Sequence, residues 1–307
     1  MTKEYTYKGL KWLDLENPTD DEVNGIIAGY NVPIQAAEDL LSPTPKQRVV
    51  MYANCVYIVL HFPTLTPNKS SKSGAYNHRQ EIDFIIGKDF LITVHYDSVR
   101  SLDKFKKSLA SEPSEEGASD NAGFIFHKLI KHLYHSLLTD VEIIRAALGK
   151  AENFVFKGEE KKMVIELSRI HRDILRFQSA LLPHREAISL LQGMFREFLG
   201  QNYEYFIHDM SSEYQRVDRR MQSNKELLEE LRHTNDSLLS AKQNEAIKGL
   251  TMMAFITFPL TLIATLFGMN AKYTPIVGGA YDFWIIIAIL LSVMLICIGF
   301  LSYKKWL

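Results

Sequence analysis

The sequence predicts an α/β cytosolic domain with long helices that continues, through one long stalk helix, into a two-helix transmembrane hairpin. Three observations predict it. Leu250 to Asn270 is an uncharged, mostly apolar run between Lys248 and Lys272, and about 20 such residues suffice to cross the hydrocarbon layer as a helix. A second run, Phe283 to Tyr303, follows a short loop and ends in Lys304 and Lys305. Ahead of the first run, Gln201 to Lys248 contains neither Gly nor Pro and repeats apolar residues at steps of three and four, the spacing of one helical face.

Size and charge agree with that division. With 307 residues, 47% hydrophobic and 23% charged, and a net charge of −1, the chain suits one sizeable soluble domain plus two spans. The balanced charge gives no electrostatic reason to expect nucleic acid as a partner. Cys55 and Cys297 are the only cysteines, neither a disulfide framework nor a zinc motif, and fit a reducing compartment. The N-terminus, Met-Thr-Lys-Glu-Tyr-Thr-Tyr-Lys, lacks the apolar core of a signal peptide. Lys242 and Lys248 precede the first span and Lys304 and Lys305 follow the second, while the connecting loop offers Lys272 alone, opposed by Asp282. Lysine stays inside, so both termini are expected on the cytoplasmic side of the cell membrane. The expected division is therefore 1–200, cytosolic α/β and helical domain; 201–248, stalk helix; 249–270, pore-lining span; 271–282, external loop; 283–303, second span; 304–307, cytosolic tail.

Leu10-Lys-Trp-Leu-Asp-Leu alternates as a strand does. Thr19 with Glu22 three residues on is a capping box opening a helix. Ile34 to Leu41 reads as a further helix before Pro43 and Pro45, and Arg48 to Leu65 as a long strand or hairpin arm. Pro67 to Gly74 is turn-like or mobile. Glu81-Ile-Asp-Phe-Ile-Ile-Gly and Phe90-Leu-Ile-Thr-Val-His read as two strands joined at Gly87-Lys-Asp. Ser111 to Asp120 is loop-like. Helical periodicity then runs over 122–153, 159–182 and 185–198, punctuated by Gly158, Pro183 and Gly200.

The stalk stripe is Ile207, Met210, Tyr214, Val217, Met221, Leu228, Leu231 and Leu238, with Asn224 and Asn235 in register, a heptad pattern with two polar seam positions. If one helix carries Gln201 to Gly268, it is on the order of 100 Å long. A helix that long needs neighbours, and identical copies around an axis are the simplest source, giving a ring-shaped homo-oligomer. The alternative is a stalk packed only on its own domain. Within the first span, Asn244, Ile247, Thr251, Ala254, Phe258, Thr261, Thr265 and Gly268 share one face that is too polar for lipid. Such a face meets copies of itself or water. The Thr hydroxyls could equally bond back to their own helix, or the small residues could serve helix packing. Pro259 frees the carbonyl of Phe255 and invites a bend.

Leu266-Phe267-Gly268-Met269-Asn270 closes this span. A Gly-Met-Asn tripeptide at the outer end of the first of two C-terminal spans resembles the signature of the CorA family of magnesium transporters. Asn244-Glu-Ala-Ile-Lys-Gly-Leu-Thr, Phe258-Pro-Leu-Thr-Leu-Ile-Ala, Tyr303-Lys-Lys-Trp-Leu, Trp12-Leu-Asp-Leu-Glu-Asn-Pro-Thr and Glu81-Ile-Asp-Phe-Ile-Ile-Gly-Lys are similar to that family too, so the resemblance covers most of the chain. It implies a homopentameric funnel in a lipid bilayer that takes up Mg²⁺, with Co²⁺ and Ni²⁺ as further ions. By that resemblance Asn270 forms the external ring receiving hydrated Mg²⁺, with Gly268, Met269, Thr265 and Thr261 along the pore. Asn244 is a polar ring near the cytoplasmic end, and Ile247, Leu250 and Phe258 make the apolar constriction. Met269 favours the magnesium branch over the zinc-transporting one. The external loop departs from relatives that carry an acidic Met-Pro-Glu sequence. Here it holds Lys272 and no Glu, and Asp282 lies at the foot of the second span.

These residue types suit Mg²⁺, which keeps its waters and prefers oxygen. Uncharged amides and hydroxyls can bond the hydration shell without trapping the ion, and an apolar constriction can gate by dewetting. No Gly-x-x-x-x-Gly-Lys-Ser/Thr run is present, and neither an enzyme nor an organic cofactor is expected. A divalent ion falling through 100 mV gains about 4.6 kcal/mol, a bias of roughly a thousandfold, so passive uptake driven by the membrane potential suffices. Regulatory Mg²⁺ bridging carboxylates of neighbouring subunits is the expected shut-off, with Asp209, Asp83 and Asp89 as candidates. His127, His132 and His135 share a helix but offer zinc no third partner. Two alternatives remain: a pore of the same superfamily carrying zinc or another divalent ion, or spans that merely anchor a cytosolic scaffold or sensor.

Overall fold

Why does the first half of the chain form a sheet buried on both faces? Its central strands are nearly continuous apolar runs, which only a sheet covered on two sides can hide. The computed structural model describes residues 2–7, 9–68, 77–111, 121–200, 203–269, 276, 278–279 and 281–304, in two compact units, Met1–Arg232 and His233–Leu307. In the first unit β1 (Thr2–Tyr7), β2 (Leu10–Glu16), β3 (Arg48–Met51), β4 (Val56–Asn68), β5 (Asn77–Ile86) and β6 (Phe90–His95) make one sheet in the order β1-β2-β6-β5-β4-β3. All pairings are antiparallel except β2 with β6.

One face packs on α1 (Asp20–Tyr30) and α2 (Ile34–Glu38), through Leu15, Tyr57, Val59 and Ile92 against Val23, Ile26, Ala36 and Ala37. The other packs on α3 (Arg100–Ser111) and α4 (Ala122–Phe156). There Trp12 meets Phe105 at 5.6 Å and Phe84 meets Phe126 at 5.3 Å between ring centres. The capping box opens α1 as expected, Thr19 accepting from Glu22 N and Glu22 from Thr19 N. The β5–β6 hairpin closes at Gly87, whose N–H donates to the Phe90 carbonyl.

Three features differ from the sequence reading. The strand over Arg48–Leu65 is divided, because Tyr52 N bonds Cys55 O and turns the chain between β3 and β4. β1 adds an edge strand. α3 was not foreseen, although Val99, Leu102, Phe105 and Leu109, all buried, recur at helical steps. Most of the loops expected over 67–74 and 111–120 lies outside the described residues.

α5 (Glu160–Leu181), α6 (His184–Phe198) and α7 (Glu204–Gly268) follow. Gly158, φ +89°, lets the chain turn between α4 and α5. Within the first unit α4 lies parallel to α7. Lys131 reaches Asp209, the Tyr134 and Tyr214 rings stand 6.2 Å apart, and Asn224 donates to Val141 O at 3.0 Å. α5 returns in the opposite direction, Gln178 beside Gln222 and His171 beside Arg232.

This corrects the expected seam. Ile207, Met210, Tyr214, Val217, Met221, Leu228 and Leu231 are at most 4% exposed within a single copy. α4 and α5 supply the apolar cover that other copies were expected to supply. The first unit accordingly includes α7 as far as Arg232.

Candidate ion pathway

The second unit holds the last part of α7 and α8 (Asp282–Tyr303), and α7 and α8 are each long and apolar enough to cross a membrane. They pack on each other. Phe255 stacks on Phe300 at 5.7 Å, Cys297 and Leu301 are buried, and Leu260, Thr261 and Ala264 of α7 line a groove of about 330 Å³ with Ile287, Leu290, Leu291 and Met294 of α8.

On this part of α7 the half-buried residues are Met252, Ala254, Ile256, Pro259, Leu260, Ile263 and Phe267. At 3.6 residues per turn, Thr251, Phe258, Thr261, Thr265 and Gly268 lie about half a turn away from all of that set but Ala254, and all five are exposed. Thr251 and Thr265 thus lie away from most of the half-buried residues, while Thr261 borders the groove shared with α8. Asn244, Ile247, Leu250 and Met269 are exposed as well, while Asn270 lies outside the described residues.

Each hydroxyl on this face donates along its own helix: Thr251 to Ile247 O at 2.8 Å, Thr261 to Thr257 O at 2.8 Å, and Thr265 to Leu262 O at 2.9 Å. That is the back-bonding alternative, and it has a chemical consequence. A hydroxyl has one donor and two acceptor lone pairs, so a Thr whose proton is committed shows its surroundings only acceptors. Pro259 lies inside α7, which remains helical through it.

At the far end of α8, the Asp282 carboxylate accepts from the N–H groups of Gly278 and Gly279. Its charge is spent holding a turn that includes Gly278 at φ +130°, so it is a loop clamp.

Comparison with known proteins decides the family: a family model described as a CorA-like Mg2+ transporter protein matches residues 7–304. The chain belongs to the CorA-like Mg2+ transporter family. Among its relatives, the cobalt/magnesium transport protein CorA of Thermotoga maritima is 22% identical over 276 residues, covering 88% of this chain and 75% of that protein. The magnesium transport protein CorA of Wolinella succinogenes is 23% identical over 301 residues, covering 96% and 91%. The complete structure of the CorA magnesium transporter from Methanocaldococcus jannaschii shares the fold, with a TM-score of 0.82 at 17% identity over 99% of this chain and 94% of that one. The N-terminal α/β domain, the long helix and the C-terminal apolar pair are thus a CorA fold.

The three carboxylates expected to sense Mg²⁺ stand in unlike surroundings. Asp83 is fully buried on β5, and burial, then the Glu81 carboxylate beside it, pushes its carboxyl well above the ordinary range. Tyr57 and Tyr96 hydroxyls point at its Oδ2, at 3.2 and 3.5 Å. A carboxyl sealed inside the sheet cannot reach an ion shared with another subunit, so Asp83 is withdrawn as a sensor. Its burial was illegible because Glu81-Ile-Asp alternates as an exposed edge also would.

Asp209 is a carboxylate already occupied, 2.9 Å from Lys131 Nζ and 2.7 Å from His127 Nε2. Burial alone would raise it, but those two hydrogen bonds outweigh burial and hold it low. Burial keeps His127 below its usual value, and its Nε2 faces a carboxylate oxygen that can only accept, so Nε2–H is the donor. Asp89 is exposed in the β5–β6 turn. Among the described residues no three His, Cys, Asp or Glu side chains converge to hold a metal.

Proposed function

We propose that several copies of this chain, five by family likeness, enclose a membrane pathway that admits Mg²⁺ passively down the membrane potential, with both termini cytoplasmic. The chain acts as a channel rather than an enzyme. The observation that carries this is the strip Thr251, Thr261 and Thr265, exposed along one face of α7 with its hydroxyl protons committed to the helix. The outer surface of hydrated Mg²⁺ consists of water hydrogens seeking acceptors, and Mg²⁺ gives up its waters reluctantly. A ring of acceptor oxygens answers that surface without charge, so the ion is held weakly and leaves. Co²⁺ and Ni²⁺ belong to the same proposal, and the relatives' names support the first of them. Ile247, Leu250 and Phe258, whose bulky apolar side chains are exposed on α7, form the dewetting constriction on this reading.

The test replaces Thr261 and Thr265 together by Val, which keeps the shape and removes the acceptors. Mg²⁺ uptake into vesicles under an imposed potential is expected to fall about tenfold, the effect of about 1.4 kcal/mol, with the oligomer intact. Unchanged uptake would show that these faces meet lipid or protein instead.

Regulation by cytosolic Mg²⁺ extends the proposal, with Asp89 and Asp209 as the carboxylates solvent reaches. In Asp89→Ala with Asp209→Ala, uptake is expected to persist at internal Mg²⁺ concentrations that silence the wild type. Silencing at the same concentration in both proteins excludes these residues.

A further inference from the structure

We infer that Glu81 and Asp83 share one proton and, while they hold it, latch residues 39–44 onto the sheet; loss of the proton frees that segment. Residues two apart on a strand project from the same face, so β5 sets the two carboxyls side by side, within hydrogen-bond reach of each other. Asp83 is fully buried. Its Oδ1 finds no donor among the described residues, and its Oδ2 is met by the Tyr57 and Tyr96 hydroxyls. Two negative charges sealed this close disfavour each other strongly. A proton on Oδ1 removes the conflict and turns an oxygen without a partner into a donor to Glu81.

Glu81 is the acceptor of the pair, because its other partners donate to it. Oε1 takes the Thr44 N–H at 2.7 Å and the Thr44 hydroxyl at 2.8 Å. Oε2 faces His61 Nε2 at 3.1 Å, and that nitrogen also stands 3.0 Å from the Thr44 carbonyl. Both oxygens accept, so Nε2 carries the hydrogen. Thr44 is thus fastened to the sheet through its N–H, its hydroxyl and its carbonyl. Tyr96 fastens the start of the segment, its hydroxyl lying 3.1 Å from Ser42 O and 3.4 Å from Asp39 O.

The same contacts explain the release. Tyr96 has one hydroxyl proton to give, and Asp83 Oδ2, 3.5 Å away, competes for it with the main-chain carbonyls. A neutral carboxyl competes weakly. A carboxylate draws the proton to itself, since a charge-assisted hydrogen bond is roughly twice as strong as a neutral one. Ionised Asp83 also repels Glu81, the anchor of Thr44. No neighbouring element neutralises that charge: Arg48 of β3 is paired with Asp39 and lies 5.2 Å over the Tyr57 ring, and His61 of β4 is taken up by Glu81 and Thr44. Burial, then Glu81, hold the Asp83 carboxyl well above its usual 3.8, the direction a shared proton requires. The closed segment therefore keeps a proton that the open one has released. Its closure is fully favoured below 3.8 and lost as pH rises through the higher, closed value.

Amide hydrogen exchange of the full chain in detergent micelles, followed by mass spectrometry at stepwise rising pH, tests the latch. Rates are divided by the intrinsic base-catalysed rate to give protection. In the wild type, protection over 39–44 is expected to fall about tenfold per pH unit, the slope for an opening that releases one proton. In Asp83→Asn it is expected to stay flat, because the neutral amide keeps donating to Glu81. Protection over β2, residues 10–16, is expected to stay flat in both. Flat wild-type protection over 39–44, or an equal fall in Asp83→Asn, overturns the latch. A matching fall over 10–16 assigns the proton to unfolding of the whole sheet and overturns it as well. A second readout needs no variant: the infrared carbonyl band of a protonated carboxyl in the wild type. It is expected to persist above the range where exposed carboxyls ionise and to fade in step with protection over 39–44. No band above that range overturns the shared proton.

Discussion

Replacing Asn270 by Ala is expected to abolish Mg²⁺ uptake while leaving the oligomer assembled. The span that ends Gly268-Met269-Asn270 has no charge between Lys248 and Lys272, so the amide is the last strongly polar side chain before the loop that joins the two apolar runs. Carboxylates cannot substitute for it: the loop from Ala271 to Tyr281 contains no acid, and Asp282 is bound to Gly278 and Gly279. An alanine removes one hydrogen-bond partner per copy. At about 1 kcal/mol for each such bond, a ring of several copies loses on the order of a thousandfold in capture of the hydrated ion. Asn270→Asp is expected to retain capture and slow release, because a carboxylate ring holds a divalent ion too strongly to pass it on. Uptake in a host lacking its own Mg²⁺ transporters, with assembly followed by native mass spectrometry, measures both. Wild-type uptake by the alanine variant would remove Asn270 from the pathway, and no uptake by either protein would leave the spans as an anchor.

Asp14→Ala is expected to destabilise the cytosolic domain by about 3–5 kcal/mol, the range for removing one member of a buried ion pair. Asp14 lies on β2 and is 2% exposed. Its Oδ1 accepts from Thr93 at 2.6 Å, and Thr93 Oγ1 in turn accepts from Trp12 Nε1 at 3.1 Å. Its Oδ2 faces Lys106 Nζ at 2.5 Å and His95 Nε2 at 3.4 Å. Deleting the carboxylate leaves the Lys106 ammonium, 8% exposed, with only the partly exposed Asp103. α3 should detach first, seen as loss of amide hydrogen-exchange protection over 100–109. Adding Lys106→Met removes the stranded charge and should recover part of the loss. If the double variant is no better than the single one, the pair is not what holds α3.

The pH dependence follows from the same groups. Burial alone would raise the Asp14 carboxyl, but the hydrogen bonds from His95, Lys106 and Thr93 outweigh it and hold it below its usual value of 3.8. Its stabilising contribution is therefore present above that range and lost as pH falls through the lower, folded value. Burial lowers Lys106, but Asp14 more than offsets this and holds it above 10.5. Its contribution is lost only as pH rises through that higher value. Between these limits the pair should leave stability flat, and Asp14→Ala should remove the acid limb that belongs to it.

Much was legible in the chain itself. Thr19 and Glu22 announced α1, the Gly87 turn announced β5 and β6, and the absence of Gly and Pro announced α7, because each is a local effect whose cause lies within a few residues. The apolar spans were equally plain, since an uncharged helix of that length has few other environments. The site was legible only as a face: the positions 251, 258, 261, 265 and 268 follow from helical spacing.

What only the tertiary structure decided are the partners. Periodicity showed that Ile207 to Leu231 are covered on one side, yet not that α4 and α5 of the same copy do the covering. It could not show that Asp83 is sealed between Tyr57 and Tyr96, that Asp14 meets residues about 80 and 90 positions away, or that the Thr hydroxyls bond back to their own helix. Local pattern records which side of an element is hidden. The neighbour that hides it is chosen by packing across the whole chain, where a favourable contact must also satisfy every buried charge and hydrogen bond.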